Sequence, residues 1–84
     1  MQLNDNQKKF LFENYYVTSK TLDSLTYEGW ENYWIKNFDF ELDTNLNRWN
    51  MRTLKIFDKE SLKIFIETDL NFQENDFEVL LEIE

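Results

Sequence analysis

Hydrophobic and polar positions follow a helical period at the start of the chain and a period of two from its middle onward. In the first segment, Phe10, Leu11 and Tyr15 recur at the spacing of one helical face, after the candidate N-caps Asn4 and Asp5. Apolar residues three and four positions apart lie on one side of an α-helix. This pattern therefore predicts a helix over about residues 5–16.

A second aromatic stretch, residues 26–38, is compatible with two structures. Aromatic residues stand at positions i, i+3, i+4 and i+8, which favours a helix with an aromatic face in the core. These residues are Trp30, Tyr33, Trp34 and Phe38. Gly29 and the aromatic content weaken a helix, so a strand over residues 27–38 is the alternative.

From Phe38 the pattern alternates between apolar and acidic residues. Apolar Phe38, Phe40 and Leu42 are interleaved with acidic Asp39, Glu41 and Asp43. Successive side chains of a β-strand point to opposite faces, and one buried face with one solvated face gives this alternation. Residues 38–43 are therefore predicted to be a strand with three carboxylates in water.

A β-hairpin is predicted by a short echo in the sequence. Leu-Lys-Ile-Phe occurs at residues 54–57 and again at 62–65, on either side of the turn-forming Asp-Lys-Glu-Ser. Two alternating runs joined by such residues are typical of a hairpin. The predicted core face carries Leu54, Ile56, Leu62, Ile64 and Ile66, and the opposite face carries Lys55, Phe57, Lys63, Phe65 and Glu67.

The last segment, residues 76–84, also alternates and is predicted to be a further strand. Its inward residues are Phe77, Val79, Leu81 and Ile83, and its outward residues are Asp76, Glu78, Leu80, Glu82 and Glu84. Together the patterns predict an α+β fold, with one or two N-terminal helices packed on a three- to four-stranded antiparallel β-meander.

Composition limits the organisation of the chain. Its 84 residues contain no proline and one glycine, so no linker is evident and residues 1–84 are predicted to form a single domain. Fifteen aromatic residues supply the core in place of disulfides, because cysteine is absent. No signal peptide and no run of 18 apolar residues is present, which predicts a soluble cytoplasmic protein, in the host cell cytoplasm if it is phage-encoded.

Acidic residues are concentrated toward the C-terminus. Residues 1–57 carry eight acids and seven bases, whereas residues 58–84 carry nine acids and two bases, within a net charge of −8. Anionic nucleic acids and membranes repel such a chain. We therefore expect no direct binding to nucleic acid or membrane, and a basic protein as partner.

Catalytic and metal-binding motifs are not evident. The chain has no histidine or cysteine, and a single glycine leaves no phosphate-binding loop or nucleophile elbow. Residues 39–50 begin like a calcium loop, but Thr44 stands where the turn requires glycine and Asn50 where a bidentate glutamate is required. We therefore predict a protein that is not an enzyme and has no cofactor and no metal site.

The acidic residues of the alternating segments are the candidate partner-binding site. Side chains at i and i+2 of a strand lie roughly 6.7 Å apart, about two base-pair rises of a duplex. If the two acidic strands share a face, their carboxylates imitate a phosphate backbone. The candidate residues are Asp39, Glu41, Asp43, Glu67, Asp69, Asp76, Glu78, Glu82 and Glu84, with Phe57 and Phe65 as apolar anchors.

These features predict a non-catalytic inhibitor that blocks the basic nucleic-acid-binding groove of an enzyme as a nucleic-acid mimic. By analogy of size and composition alone, phage anti-defence proteins, including anti-CRISPR proteins, are of this kind. One alternative is an immunity protein or antitoxin that neutralises a cognate basic toxin. A second is a structural or assembly protein that forms a homodimer or larger homo-oligomer through the apolar hairpin face.

Overall fold

The computed structural model describes residues 1–15 and 30–84. Over these residues the elements are α1 (Asp5–Tyr15), α2 (Trp30–Asn37), β1 (Phe38–Leu42), β2 (Arg52–Asp58), β3 (Ile64–Leu70) and α3 (Asp76–Glu82). The strands form an antiparallel sheet in the order β1-β2-β3. The predicted α+β class with an antiparallel meander is confirmed.

Helix α1 agrees with its prediction and begins with a reciprocal cap. The Asn4 side chain accepts a hydrogen bond from the Gln7 backbone N–H at 2.8 Å, and the Gln7 side chain accepts one from the Asn4 N–H at 2.8 Å. This capping box satisfies two N–H groups that lack a partner within the helix. Residue 16, the predicted end, lies outside the described residues.

For the second aromatic stretch the favoured helix is correct and the alternative strand is wrong, because Trp30–Asn37 forms α2. The side chain of Trp34 is buried, and its ring stacks on that of Phe38 with centroids 4.2 Å apart. Phe38 itself is the first residue of β1, so the helix and the strand meet without an intervening loop. Residues 27–29, the predicted start of this element, lie outside the described residues.

One face of the sheet carries the core. The strand predictions for Phe38, Phe40, Leu42, Leu54 and Ile56 are confirmed, since all five are buried. Leu11 of α1, Trp34 of α2 and Leu80 of α3 belong to the same cluster. The helices of the described ranges therefore pack on this face, which we call the core face, and the opposite side of the strands is the outer face.

The edge of β1 is covered by the first residues of the chain. The Leu3 N–H donates to the Phe40 carbonyl at 2.9 Å, and the Leu42 N–H donates to the Met1 carbonyl at 2.8 Å. Gln2 and Glu41 form an antiparallel bridge. Residues 1–3 thus satisfy polar backbone groups that a free edge would expose.

A β-bulge changes the predicted faces of the hairpin. Ile56 pairs with Ile66, but Phe57 pairs with Ile64, so Phe65 is the extra residue on β3. The assignment of Leu62 and Ile64 to the core is wrong, because they are 72% and 50% exposed. The assignment of Phe65 to the outer face is also wrong: its side chain is 56% exposed, but its ring centroid lies 5.6 and 5.5 Å from those of the core residues Trp34 and Phe38.

The prediction of a C-terminal strand is wrong, because Asp76–Glu82 forms the helix α3. Leu80, which was predicted to point outward, is fully buried. Val79 and Leu81, which were predicted to point inward, are both more than two fifths exposed. At these three positions the prediction is therefore wrong about which side chain is buried and which are exposed.

Tertiary contacts explain why this segment is helical. Phe77, Leu80 and Ile83 lie at a spacing of three and pack on the core cluster, as one helical face does. The Gln7 side-chain amide donates to the Leu80 carbonyl at 2.9 Å. The Arg52 guanidinium lies 3.7 Å from the centre of the Phe77 ring, a cation–π contact. The position beside β1 is already taken by residues 1–3.

Within the described ranges, no helix has the length and apolar character needed to cross a membrane.

Candidate protein-binding face

The outer face of the sheet carries acidic residues on both outer strands. Strand alternation places Asp39 and Glu41 in one row along β1, with Asp43 directly after its end, and Glu67 and Asp69 in a second row along β3. Glu41, Asp43, Glu67 and Asp69 are exposed, and Asp39 is half-buried. We call these five residues the acidic face. The structure thus brings together five of the nine predicted carboxylates.

A single lysine of β2 lies between the two acidic rows. Lys55 pairs in register with Glu41 on one side and with Glu67 on the other. Its ammonium nitrogen is 4.0 Å from a Glu67 carboxylate oxygen, and both side chains are about half exposed. Such exposed ion pairs contribute little stability. Met1, whose ammonium group donates to the Leu42 carbonyl at 3.0 Å, also lines this region. Five carboxylates against these two cations leave the acidic face with an excess of negative charge.

The central part of the acidic face is a groove. It has a volume of about 510 Å³, and its lining includes Glu41, Asp43, Thr44, Thr53, Lys55 and Glu67. The Thr53 hydroxyl donates a hydrogen bond to Asp69 at 2.9 Å, which fixes that carboxylate beside the groove. The groove is therefore lined by polar groups of all three strands and the loop after β1.

The two rows present charge on the scale of a nucleic-acid backbone. Neighbours within a row are roughly 6.7 Å apart, and the rows are separated by two strand spacings, roughly 10 Å. The grooves of B-DNA are roughly 6 Å and 12 Å wide. The separation of the two acidic rows therefore falls between the two groove widths.

Apolar residues border the acidic face at its hairpin end. Phe57 lies on the outer face and, with Leu62, Asp39 and Glu41, lines a second cavity of about 240 Å³. Ile64 lies opposite Phe57. Leu62 adopts a left-handed backbone with φ of 61°, which costs a leucine energy that glycine or asparagine avoids. An exposed leucine in this conformation contributes little to folding.

The four C-terminal carboxylates do not join the acidic face. Leu80 packs on the core face, so α3 and the exposed Glu78 and Glu82 lie on the other side of the sheet from Glu41 and Glu67. Glu84, also exposed, follows the helix. The prediction that residues 38–43 and 76–84 are two acidic strands sharing one face is therefore wrong, because the second segment contains the helix α3.

Asp76 has a local structural contact at the start of α3. Its carboxylate accepts a hydrogen bond from the Tyr15 hydroxyl at 2.5 Å, and that hydroxyl accepts one from the Gln73 N–H at 3.2 Å. Burial, together with the hydrogen bond to Asp76, raises the pKa of Tyr15. Asp76 therefore joins α1 to α3. Because its carboxylate is engaged in this contact, we do not include Asp76 among the partner-binding residues.

The loop between β1 and β2 exposes apolar residues that the pattern of the sequence did not single out. Leu46 and Trp49 are 52% and 58% exposed. The guanidinium of Arg48 lies 4.3 Å from the centre of the Trp49 ring. The sequence does carry a signal for this exposure. Thr44, Asn45, Asn47 and Asn50 are turn-forming residues that indicate a surface loop, and a tryptophan within such a loop is expected to be exposed.

No group of three or more acidic side chains within residues 1–15 and 30–84 is placed to hold a metal ion. The buried Lys8 has its pKa lowered by burial and by the charge of Lys59. Its ammonium group donates to the Ile35 and Phe38 carbonyls at 3.0 and 2.8 Å, so Lys8 has a structural role.

Comparison of the chain with protein-family models, with curated proteins and with solved structures finds no match in any of the three. The chemistry and geometry of the acidic face therefore carry the functional inference.

Proposed function

We propose that this protein is a non-catalytic inhibitor whose acidic face occupies the basic nucleic-acid-binding groove of an enzyme and excludes its substrate. The observation that carries this proposal is the pair of acidic rows on a sheet face opposite to the one on which the described helices pack. The enzyme is bacterial and the inhibitor acts in the cytoplasm, in the manner of a phage anti-defence or anti-CRISPR protein.

Charge on the acidic face selects the partner and speeds the encounter. Complementary potentials raise association rates and reject partners of like charge more than they add affinity. The acidic face has five carboxylates, with Lys55 between its two rows. Because negative charge exceeds positive charge on it, the face attracts basic surfaces. Salt should weaken this attraction, since screening acts strongly on exposed charges.

Apolar residues beside the acidic face supply contact area. Phe57 and Leu62 are placed next to Asp39 and Glu41, and an apolar contact ringed by charge is typical of a protein interface. The exposed side chain and left-handed backbone of Leu62 support a role in binding, because backbone strain is often retained for function.

The alternative of a self-assembling structural protein is supported less by the structure than by the sequence pattern. The predicted apolar hairpin face includes both Phe57 and Phe65, but the two rings are not on one face, because Phe65, although 56% exposed, contacts Trp34 and Phe38 on the core side. A homodimer through the outer face would also bring two sets of carboxylates together. An immunity protein or antitoxin would use the same acidic face, and it differs in having one dedicated toxin as partner.

The test compares two charge-reversed proteins with the same change in net charge. One carries Glu41→Lys and Glu67→Lys on the acidic face, and the other carries Glu78→Lys and Glu82→Lys on α3. Wild type and both variants are used for affinity capture from bacterial lysate, the retained enzyme is identified and purified, and its nucleic-acid binding and cleavage are measured with each protein. Binding kinetics of inhibitor and enzyme are measured as well, and we expect the first pair to lower the association rate at least about tenfold in low salt and to weaken the inhibition of cleavage.

The α3 pair is the matched control, and it should inhibit nearly as well as wild type. Thermal unfolding checks that both variants fold. Inhibition that survives Glu41→Lys with Glu67→Lys but is lost with the α3 pair would move the site to the C-terminal helix. A stable dimer in sedimentation at two concentrations, with no enzyme retained, would favour the assembly protein instead.

A further inference from the structure

The loop between β1 and β2, residues 43–51, presents a large apolar side chain outside the acidic face. Trp49 exposes 58% of its surface and Leu46 exposes 52%. Tryptophan and arginine are enriched among the residues that dominate binding energy in protein interfaces, and Arg48 lies against the Trp49 ring. Exposure of this tryptophan keeps apolar area in water, so the loop gains little for folding from it.

The backbone that carries Trp49 is held in place by hydrogen bonds. The Asn47 side-chain oxygen accepts from the Trp49 and Met51 N–H groups at 2.9 and 3.1 Å. The Asn47 N–H donates to the Met51 carbonyl at 2.8 Å, and the Asn50 N–H donates to the Asn47 carbonyl at 3.0 Å. A side chain presented by a fixed backbone loses less conformational entropy on binding.

The base of this loop belongs to the acidic groove. Asp43 and Thr44 line the groove, the Asp43 side chain accepts a hydrogen bond from the Asn45 N–H at 2.9 Å, and Arg52 donates to the Thr44 carbonyl at 3.2 Å. The loop therefore continues directly from the acidic face. Leu46 and Trp49 follow two and five residues after the groove residue Thr44.

We infer that Trp49, with Leu46 beside it in the loop, is the apolar anchor by which the protein holds the enzyme that its acidic face attracts. This inference rests on the proposed function and names the chemistry of the partner. The enzyme offers an apolar pocket for the Trp49 indole at the border of its basic groove. Charge brings the two proteins together, and burial of the anchor keeps them together.

The test measures binding kinetics on the purified nucleic-acid enzyme identified by capture with wild type. The variants are Trp49→Ala and Leu46→Ala, and the control is Leu81→Ala, an apolar residue of similar exposure on α3. We expect Trp49→Ala to raise the dissociation rate at least about 30-fold, with a smaller change in the association rate. Leu46→Ala should raise the dissociation rate less, and Leu81→Ala should not change it.

The outcomes separate this inference from the proposed function. If Trp49→Ala and Leu46→Ala both dissociate like wild type while Glu41→Lys with Glu67→Lys slows association, the anchor is wrong and the acidic inhibitor stands. If Trp49→Ala dissociates faster while the charge-reversed protein binds unchanged, the loop is an anchor and the acidic decoy is wrong. If wild type retains no enzyme, both proposals are overturned. Thermal unfolding of each variant verifies the fold.

Discussion

Residues 38–42 and residues 76–82 have similar alternation of apolar and acidic side chains, yet one is a strand and the other a helix. In β1 the alternation reports the structure, since Phe40 is buried and Glu41 is exposed. In α3 it does not, since Leu80 is buried and both Val79 and Leu81 are exposed. The two segments differ in what surrounds them.

Strand β1 has hydrogen-bonding partners along both edges, whereas the backbone of α3 bonds within the helix and, at its end, to the Gln7 side chain, which donates to the Leu80 carbonyl. β2 pairs with one edge of β1, and residues 1–3 pair with the other. A helix satisfies its backbone internally, so α3 can close the core from the side without a place in the sheet. The comparison shows that the same alternation is compatible with a strand or a helix, and that α3 is the structure in which Phe77, Leu80 and Ile83 all pack on the core.

The largest expected effect comes from Leu80. Leu80→Ala removes a fully buried side chain from the core cluster and should lower the free energy of unfolding by about 3 kcal/mol. Leu81→Ala should lower it by less than about 1 kcal/mol, because Leu81 is 47% exposed. Urea unfolding of the two variants measures both losses. A strand at residues 76–84 would reverse their order.

A smaller effect is expected at the junction before β1. Lys8→Met keeps an apolar stem of similar length but removes the donor to the Ile35 and Phe38 carbonyls. The loss of two charge-assisted hydrogen bonds should lower the unfolding free energy by about 2 kcal/mol. Lys9→Met is the control, since Lys9 is exposed on the same helix. Equal stability of the two variants in urea unfolding would contradict the structural role of Lys8.

The smallest effect is expected from the link between α1 and α3. Tyr15→Phe removes the hydrogen bonds of the hydroxyl with Asp76 and Gln73 and should lower the unfolding free energy by about 1 kcal/mol at neutral pH. Urea unfolding of wild type and variant measures this difference.

The pH dependence of stability tests the same contact, because the direction in which the unfolding free energy changes at alkaline pH is defined. Burial and the Asp76 hydrogen bond raise the pKa of Tyr15 in the folded protein, so the folded state favours the protonated hydroxyl. Its contribution is fully present below the unfolded pKa of about 10 and is lost as pH rises through the higher folded pKa. The stability difference between wild type and Tyr15→Phe should therefore shrink above pH 10. A difference that grows there would contradict this contact.

The acidic face was partly predictable from the sequence. The alternation of residues 38–43 correctly indicated that Asp39 and Glu41 face away from the core, because apolar and polar residues separate cleanly on a strand. The hairpin placed Glu67 near them. The bulge between Ile56 and Phe57 could not be predicted, because its position depends on how Phe65 packs against Trp34 and Phe38.

Contacts between distant residues were not predictable from local patterns. The role of Lys8 depends on carbonyl groups 27 and 30 residues further along the chain, and that of Gln7 on a carbonyl 73 residues away. Neither partner is visible in the spacing of nearby residues. The exposure of Trp49 likewise depends on the hydrogen bonds that shape its loop.

By itself, the sequence determined the α+β class, α1, the meander and the concentration of negative charge, because local periodicity and composition act over a few residues. Only the tertiary structure decided that residues 76–82 form a helix, that five carboxylates share one face with a single lysine, and that Trp49 is exposed on the loop after β1. These features depend on contacts between residues that are far apart in the chain, and the local spacing of apolar and polar residues does not specify such contacts.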